Sequence, residues 1–280
     1  MINMDSKIKI LSIIIVFILL SCGKSAKTSQ NNSSINNIKW HWEDEFNEKD
    51  KIKLKTWIEK TVFATEKTLG NFPFDINIYF HKSKSSREPV PWAHTERGDT
   101  QSVHFFVSPD YPLEDFIDDW TAPHEISHLT LPFLGKKYSW FAEGYATYMQ
   151  CQIMNTMGTM SDKETKEKYR SKIDDVKDRF MCEAPFVKVV DSLRKKHDFP
   201  AMYWGSVSYF IKTDSMLKNS GKKGLNQLIK EYQLCCRNQD KNMSDLINSL
   251  DSLAESNIFS DLLKKYEKEP ALNMISGYNK

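Results

Sequence analysis

Apolar and polar positions repeat with two different periods along this chain, a strand period first and a helical one later. Residues 38–46 alternate and are rich in aromatics, which predicts a first strand. Lys51 to Leu69 reads as a helix capped by Asp50, with Trp57, Ile58, Val62, Phe63 and Leu69 on its buried side and Gly70 and Pro73 as its stop. Asp75 to Phe80 alternates as a half-buried strand does, and Val103 to Val107 is a second clear strand. The polar, proline-containing stretch from Lys82 to Pro91 reads as a loop between them. Helices over 115–131 and 139–154 follow, separated by a turn at Gly135. Residues 161–178 are densely charged and read as a solvated helix or loop. From Phe186 onward the period is helical, over 186–196, 203–217, 224–234, 243–253 and 258–266. The expected fold is α+β, a small mixed sheet with its helices followed by a mostly helical C-terminal half. The expected division falls between 38–158 and 159–280, with the functional cleft between the two layers.

The amino-terminal segment stands outside this pattern. Lys7 and Lys9 precede an apolar run from Ile10 to Leu20, about eleven residues and too short to span a bilayer, which needs roughly 20. A basic start, a short apolar centre and small residues at the end read as a secretory signal over residues 1–22. The string Leu19-Leu20-Ser21-Cys22-Gly23 resembles the bacterial lipobox, which implies a lipid anchor on Cys22 and a place in the cell envelope, outside the cytoplasm. Residues 23–37 are rich in Ser, Asn and Lys and read as a flexible tether.

Length and charge narrow the classes of function. A chain of 280 residues easily supports a buried core. With 39 basic and 37 acidic residues the net charge is +2, which gives no argument for a nucleic-acid partner. Cys151, Cys182, Cys235 and Cys236 lack the CxxC spacing of a metal site. Outside the cytoplasm they can oxidise, and because a bond between adjacent cysteines is strained, two long-range bridges are expected if both form.

The chemistry is concentrated in two strings. His124-Glu125-Ile126-Ser127-His128 puts two imidazoles at i and i+4, on one face of a helix, where both can grip one ion. Glu125 is placed to act as general base on a water that the ion activates. Trp140-Phe141-Ala142-Glu143-Gly144 supplies a third ligand in Glu143. Three protein ligands and one open position make a catalytic zinc site, whereas structural sites close with four. Pro123 suits the first helical turn, and Asp118, Asp119 and Thr121 are cap candidates. Thr147, one turn after Glu143, either orients a ligand or packs. His94, His104 and His197 read as surface or hydrogen-bonded histidines.

At these residues the chain resembles gluzincin metallopeptidases, and most closely the peptidase MA-like family. Residues 121–128 are similar to the family's metal helix, and residues 140–148 to its Trp-x-x-Glu-Gly-x-Ala-x-Tyr helix. The resemblance implies a thermolysin-like zincin core, one Zn²⁺ held by His124, His128 and Glu143, and hydrolysis of peptide or protein substrates with Glu125 as base. It also implies a tyrosine that stabilises the oxyanion, here Tyr203 with Tyr209 in reserve. The Tyr-x-Lys-Gly setting of related aminopeptidases is altered, with Met202 three residues before Gly205 and Trp204 in place of the lysine. The Gly-x-Met-Glu-Asn string that captures a free amino terminus is absent near Thr95-Glu96-Arg97-Gly98. By the same resemblance, Val103 to Val107 is the expected edge for extended substrate. The alternative is a peptidase-like binding lipoprotein with little or no turnover.

Overall fold

The computed structural model describes residues 38–85 and 87–275. The signal segment, the Cys22 anchor and the 23–37 tether lie outside the described residues. No described helix is long and apolar enough to cross a membrane.

Four strands form one mixed sheet: β1 (Ile38–Trp42), β2 (Ile76–Lys82), β3 (Trp92–Arg97) and β4 (Gln101–Val107). Their order is β1-β2-β4-β3, with β1, β2 and β4 parallel and β3 antiparallel to β4. Between β1 and β2 runs α1 (Glu48–Leu69), which starts two residues before Asp50 because Asn47 is its cap and accepts from the Asp50 amide at 2.8 Å. The inner face of the sheet, Ile76, Ile78, Phe80, Val103, Phe105 and Val107, is fully buried against Trp57 and Ile58 of α1 and Phe116.

This order corrects the expected substrate edge. The strand before the metal helix, β4, lies inside the sheet, and the free edge beside that helix is β3. The mixed polarity of its sequence hides β3, which carries Trp92 exposed, Ala93 buried and Glu96 exposed.

The single helix expected over 115–131 is two. The first, α2 (Leu113–Asp118), ends where Asp119 turns extended at ψ 133°. The second, α3 (Thr121–His128), begins with Asp119 Oδ1 accepting from the Thr121 amide at 2.7 Å. Two faces of α3 then do different work. Ala122, Ile126 and Leu129 join the core beneath the sheet, while His124 and His128 point toward the next helix, α4 (Ser139–Met157).

The rest is helical: α5 (Asp162–Val176), α6 (Phe186–Lys195), α7 (Phe199–Asn219), α8 (Leu225–Cys235), α9 (Met243–Ala254), α10 (Ile258–Lys268) and α11 (Ala271–Ile275). Although densely charged, α5 is a regular helix. Ser161 and Glu164 close a reciprocal capping box at its start, and Thr165, Tyr169, Ile173 and Val176 give it a buried stripe. A second apolar cluster, centred on Trp140, Phe141, Tyr145, Phe186, Tyr209, Phe210 and Tyr266, joins these helices to α4.

The long-range disulfides do not occur. Cys235 and Cys236 are bonded to each other, with Cα atoms 3.7 Å apart, where α8 ends and the chain turns. Cys151 and Cys182 are free. Cys151 is packed inside the helical cluster, and burial pushes its thiol up to about 11.

Candidate metal centre

Helical periodicity builds the centre from α3 and α4. Residues i and i+4 put His124 and His128 side by side, both buried, with rings nearly perpendicular at 84° and centroids 4.9 Å apart. From α4, Glu143 Oε2 reaches His124 Nε2 at 3.2 Å and His128 Nε2 at 3.5 Å. Two ligands about 2.1 Å from one tetrahedral ion stand roughly 3.4 Å apart, so these separations suit a single cation. The donor set, two imidazoles and one carboxylate, suits zinc chemistry.

The electrostatics are those of a closely packed acid and two bases. Burial opposes ionisation of Glu143, but His128 and His124 outweigh it through charge and hydrogen bonds and hold the carboxyl well below the usual carboxylate range. Burial alone would lower His124, yet its hydrogen bond to Glu143 and the charges of Glu143 and Glu125 leave it raised. For His128 burial prevails, and its pKa is lowered.

Several supporting residues were invisible in the sequence. Gln150 Oε1 accepts from His124 Nδ1 at 2.9 Å, which leaves Nε2 free to ligate. Gln150 follows Glu143 by two helical turns, a spacing that could have revealed it. Thr147, read from sequence as either orienting a ligand or packing, is buried with its hydroxyl lacking a hydrogen-bond partner among the described residues. On β3, the Thr95 hydroxyl lies 2.7 Å from Glu125 Oε2 and 2.8 Å from the Glu125 carbonyl, and so restrains the proposed base. Arg97 Nη1 donates to the His128 carbonyl at 3.1 Å.

At the end of α3 the His128 carbonyl accepts from the Leu131 amide at 3.2 Å, and the carbonyls of the turn that follows run beyond the helix's own donors. Long-range donors reach them: Arg97 adds a second bond to His128, Arg237 Nε donates to Leu129 at 2.9 Å, and Gln233 Nε2 donates to Thr130 at 2.7 Å. Arg97 sits close enough to Glu143 and Glu125 for both charges to oppose the lowering that burial imposes on its guanidinium.

Tyr203, on α7, stacks on His124 with centroids 5.8 Å apart and planes 24° from parallel. Burial lifts its phenol far above the ordinary value, and the charges of Glu143 and Glu125 add to this. It therefore stays protonated and can donate. Tyr209 is a core residue instead: fully buried, its hydroxyl donates to the Phe259 carbonyl at 2.8 Å. His197 is exposed at the start of α7, with a positive φ of 59°.

The glycine after Glu143 sets the distance between α4 and α7. A Cβ on Gly144 would lie 2.5 Å from Ser206 Cβ, closer than atoms can pack. Only glycine allows α7, and Tyr203 with it, this near to Glu143. Beside Tyr203 opens a cavity of about 360 Å³, lined by Trp120, Phe199, Pro200 and Trp204 together with Lys168 and Lys172.

No protein family and no curated protein matches this chain by sequence. Among solved structures, a two-domain M1 zinc metallopeptidase, a mutant bound to L-arginine, is 9% identical with a TM-score of 0.50 and aligns over 81% of this chain and 47% of its own. An M1 zinc metallopeptidase from Deinococcus radiodurans is 9% identical with a TM-score of 0.49, over 81% and 45%. A mutant of the enzyme from that organism, bound to a Tyr-Ser-Ala substrate, is 9% identical with a TM-score of 0.48, over 79% and 44%. The chain spans less than half the length of these structures. At such identity the likeness speaks to the fold alone.

Proposed function

We propose that this protein is a zinc-dependent peptidase with a thermolysin-like, gluzincin-type core akin to the peptidase MA-like family. One observation carries the reading: Glu143 Oε2 stands 3.2 and 3.5 Å from the Nε2 atoms of His124 and His128, with the Glu125 carboxylate beside them on the same helix. His124, His128 and Glu143 would hold the ion. When bound, zinc lowers the pKa of a water and polarises a carbonyl.

The chain's own residues would do the rest. Glu125, restrained by the Thr95 hydroxyl, takes the proton of the attacking water and hands it to the leaving amine. The Tyr203 hydroxyl, protonated at all ordinary pH, donates to the developing oxyanion. The free edge of β3, the last strand of the sheet, would offer its backbone to an extended peptide. The apolar cavity beside Tyr203 would receive one of that peptide's side chains. We further propose that the enzyme is tethered to the bacterial envelope through Cys22 and acts on peptides or proteins, not nucleic acid.

The test is zinc content and cleavage of a peptide library by the parent and by Glu125→Gln. Both should bind zinc at His124, His128 and Glu143, and the variant should lose roughly 10²–10⁴-fold in turnover. Equal cleavage by both removes Glu125 from the mechanism. No cleavage by the zinc-loaded parent favours the peptidase-like binding protein.

A further inference from the structure

Of the five histidines outside the candidate metal centre, four lie on the outer face of the sheet. Strand alternation puts them there. Thr95 and Arg97 of β3 turn toward α3, so His94 and Glu96 turn outward. His94 pairs with His104 across β3 and β4, and His104 with Tyr79 across β4 and β2. Their rings stack in a row, His41 on Tyr79, Tyr79 on His104, and His104 on His94.

Glu96 reaches over the end of this row. Its Oε1 lies 3.7 Å from His94 Nε2, and its Oε2 lies 3.9 Å from His104 Nε2. Those distances are too long for hydrogen bonds but near the separation of two ligands across one cation, roughly 3.4 Å. The three donor atoms lie within 4.8 Å of one another. His104 Nδ1 is 3.1 Å from His81 Nε2. When His104 Nδ1–H donates to His81, the lone pair of His104 is left on Nε2, facing Glu96.

We propose that His94, Glu96 and His104 form a second metal site, for a borderline divalent ion such as Zn²⁺, Ni²⁺ or Cu²⁺, with His81 holding His104 in the ligating tautomer. Imidazole and carboxylate donors suit these ions. The His94 and His104 rings lie only 6° from parallel, whereas an ion bound by both must lie near both planes. Binding therefore turns the rings out of their stack. Glu96 and His94, whose side chains are 62% and 35% exposed against 18% for His104, are the members with room to move. An ion here would clamp the edge strand β3 to β4, back to back with the Thr95 and Arg97 contacts to α3. This assignment stands apart from the peptidase reading.

The test uses the untagged full chain, stripped of metal and dialysed against Zn²⁺. Three proteins are compared: the parent, an outer variant (His94→Ala with Glu96→Gln), and an inner variant (His124→Ala with His128→Ala). The expected zinc counts are two, one and one. Cu²⁺ loaded into the inner variant should show nitrogen hyperfine coupling from two imidazoles by electron paramagnetic resonance. Adding His94→Ala to that variant should reduce it. Equal zinc counts for parent and outer variant overturn the proposal, whether or not the inner variant folds. So does an inner variant that folds by circular dichroism and binds no zinc. Peptide cleavage plays no part in these readouts, so failure of the peptidase reading would leave them intact.

Discussion

Two clusters in this molecule carry the same three donors, two histidines and a glutamate, and differ in how the backbone presents them. In the inner cluster a helix offers both histidines from one face. Their rings cross at 84°, both are buried, and one is braced by Gln150 at 2.9 Å. In the outer cluster two strands offer one histidine each. Those rings are 6° from parallel, and Glu96 lies exposed at 3.7 and 3.9 Å. Helical i, i+4 spacing lets lone pairs converge on a point, whereas cross-strand pairing favours stacking. The same donors are thus presented in two ways, convergent and braced in one cluster, stacked and open in the other.

The largest expected effect breaks the inner cluster outright. His128→Ala removes a proposed ligand and should bring cleavage of a fluorogenic peptide below detection, with loss of one zinc by elemental analysis. Next, Gln150→Leu keeps all three ligands but removes the brace from His124. Zinc affinity, measured by chelator competition, should weaken by about 10–100-fold. The corresponding outer change, His81→Ala, should weaken binding there by less, because that site is less preorganised. Equal losses would erase the contrast drawn above.

Gly144→Ala should sharpen the contrast in a different way. Its Cβ would meet Ser206 at 2.5 Å, an overpacking that costs about 1–3 kcal/mol by urea denaturation. Turnover should fall as Tyr203 is displaced, while zinc uptake by the outer face stays as it was. The smallest effect belongs to neither cluster. Glu66 on α1 is pushed by burial from 4.5 up to about 6. Its folded form binds the proton more tightly, so its contribution is greatest below pH 4.5 and is lost as pH rises through about 6. Glu66→Gln should flatten the stability profile in that window and supplies a baseline for the pH responses of both histidine clusters.

Much of the inner cluster was legible because its signals are local. The histidine spacing, the glutamate between them and the Trp-x-x-Glu-Gly string each lie within one element, and the structure brings His124, His128 and Glu143 together. The capping box at Ser161 and Glu164 was equally local but was masked by the charge around it. What sequence could not supply was strand order and long-range partnership. No period in Trp92 to Arg97 marks an edge strand, so β4 took its place as the expected substrate edge. The helix expected over 115–131 ignored the break that Asp119 makes by accepting from Thr121. Tyr209 and Tyr203 look alike in sequence, and only packing separates the core residue from the one beside His124. The cysteine pairing failed for a related reason: strain argued against neighbours, but burial of Cys151 in α4 took away its freedom to seek a distant partner.

The donors that complete the end of α3 come from far along the chain, Gln233 and Arg237, on either side of the Cys235–Cys236 bond. A ribosome-bound chain that has already displayed both histidines and Glu143 would still lack them. The turn that follows His128 is therefore completed late in translation, only once the stretch around the Cys235–Cys236 bond has been made.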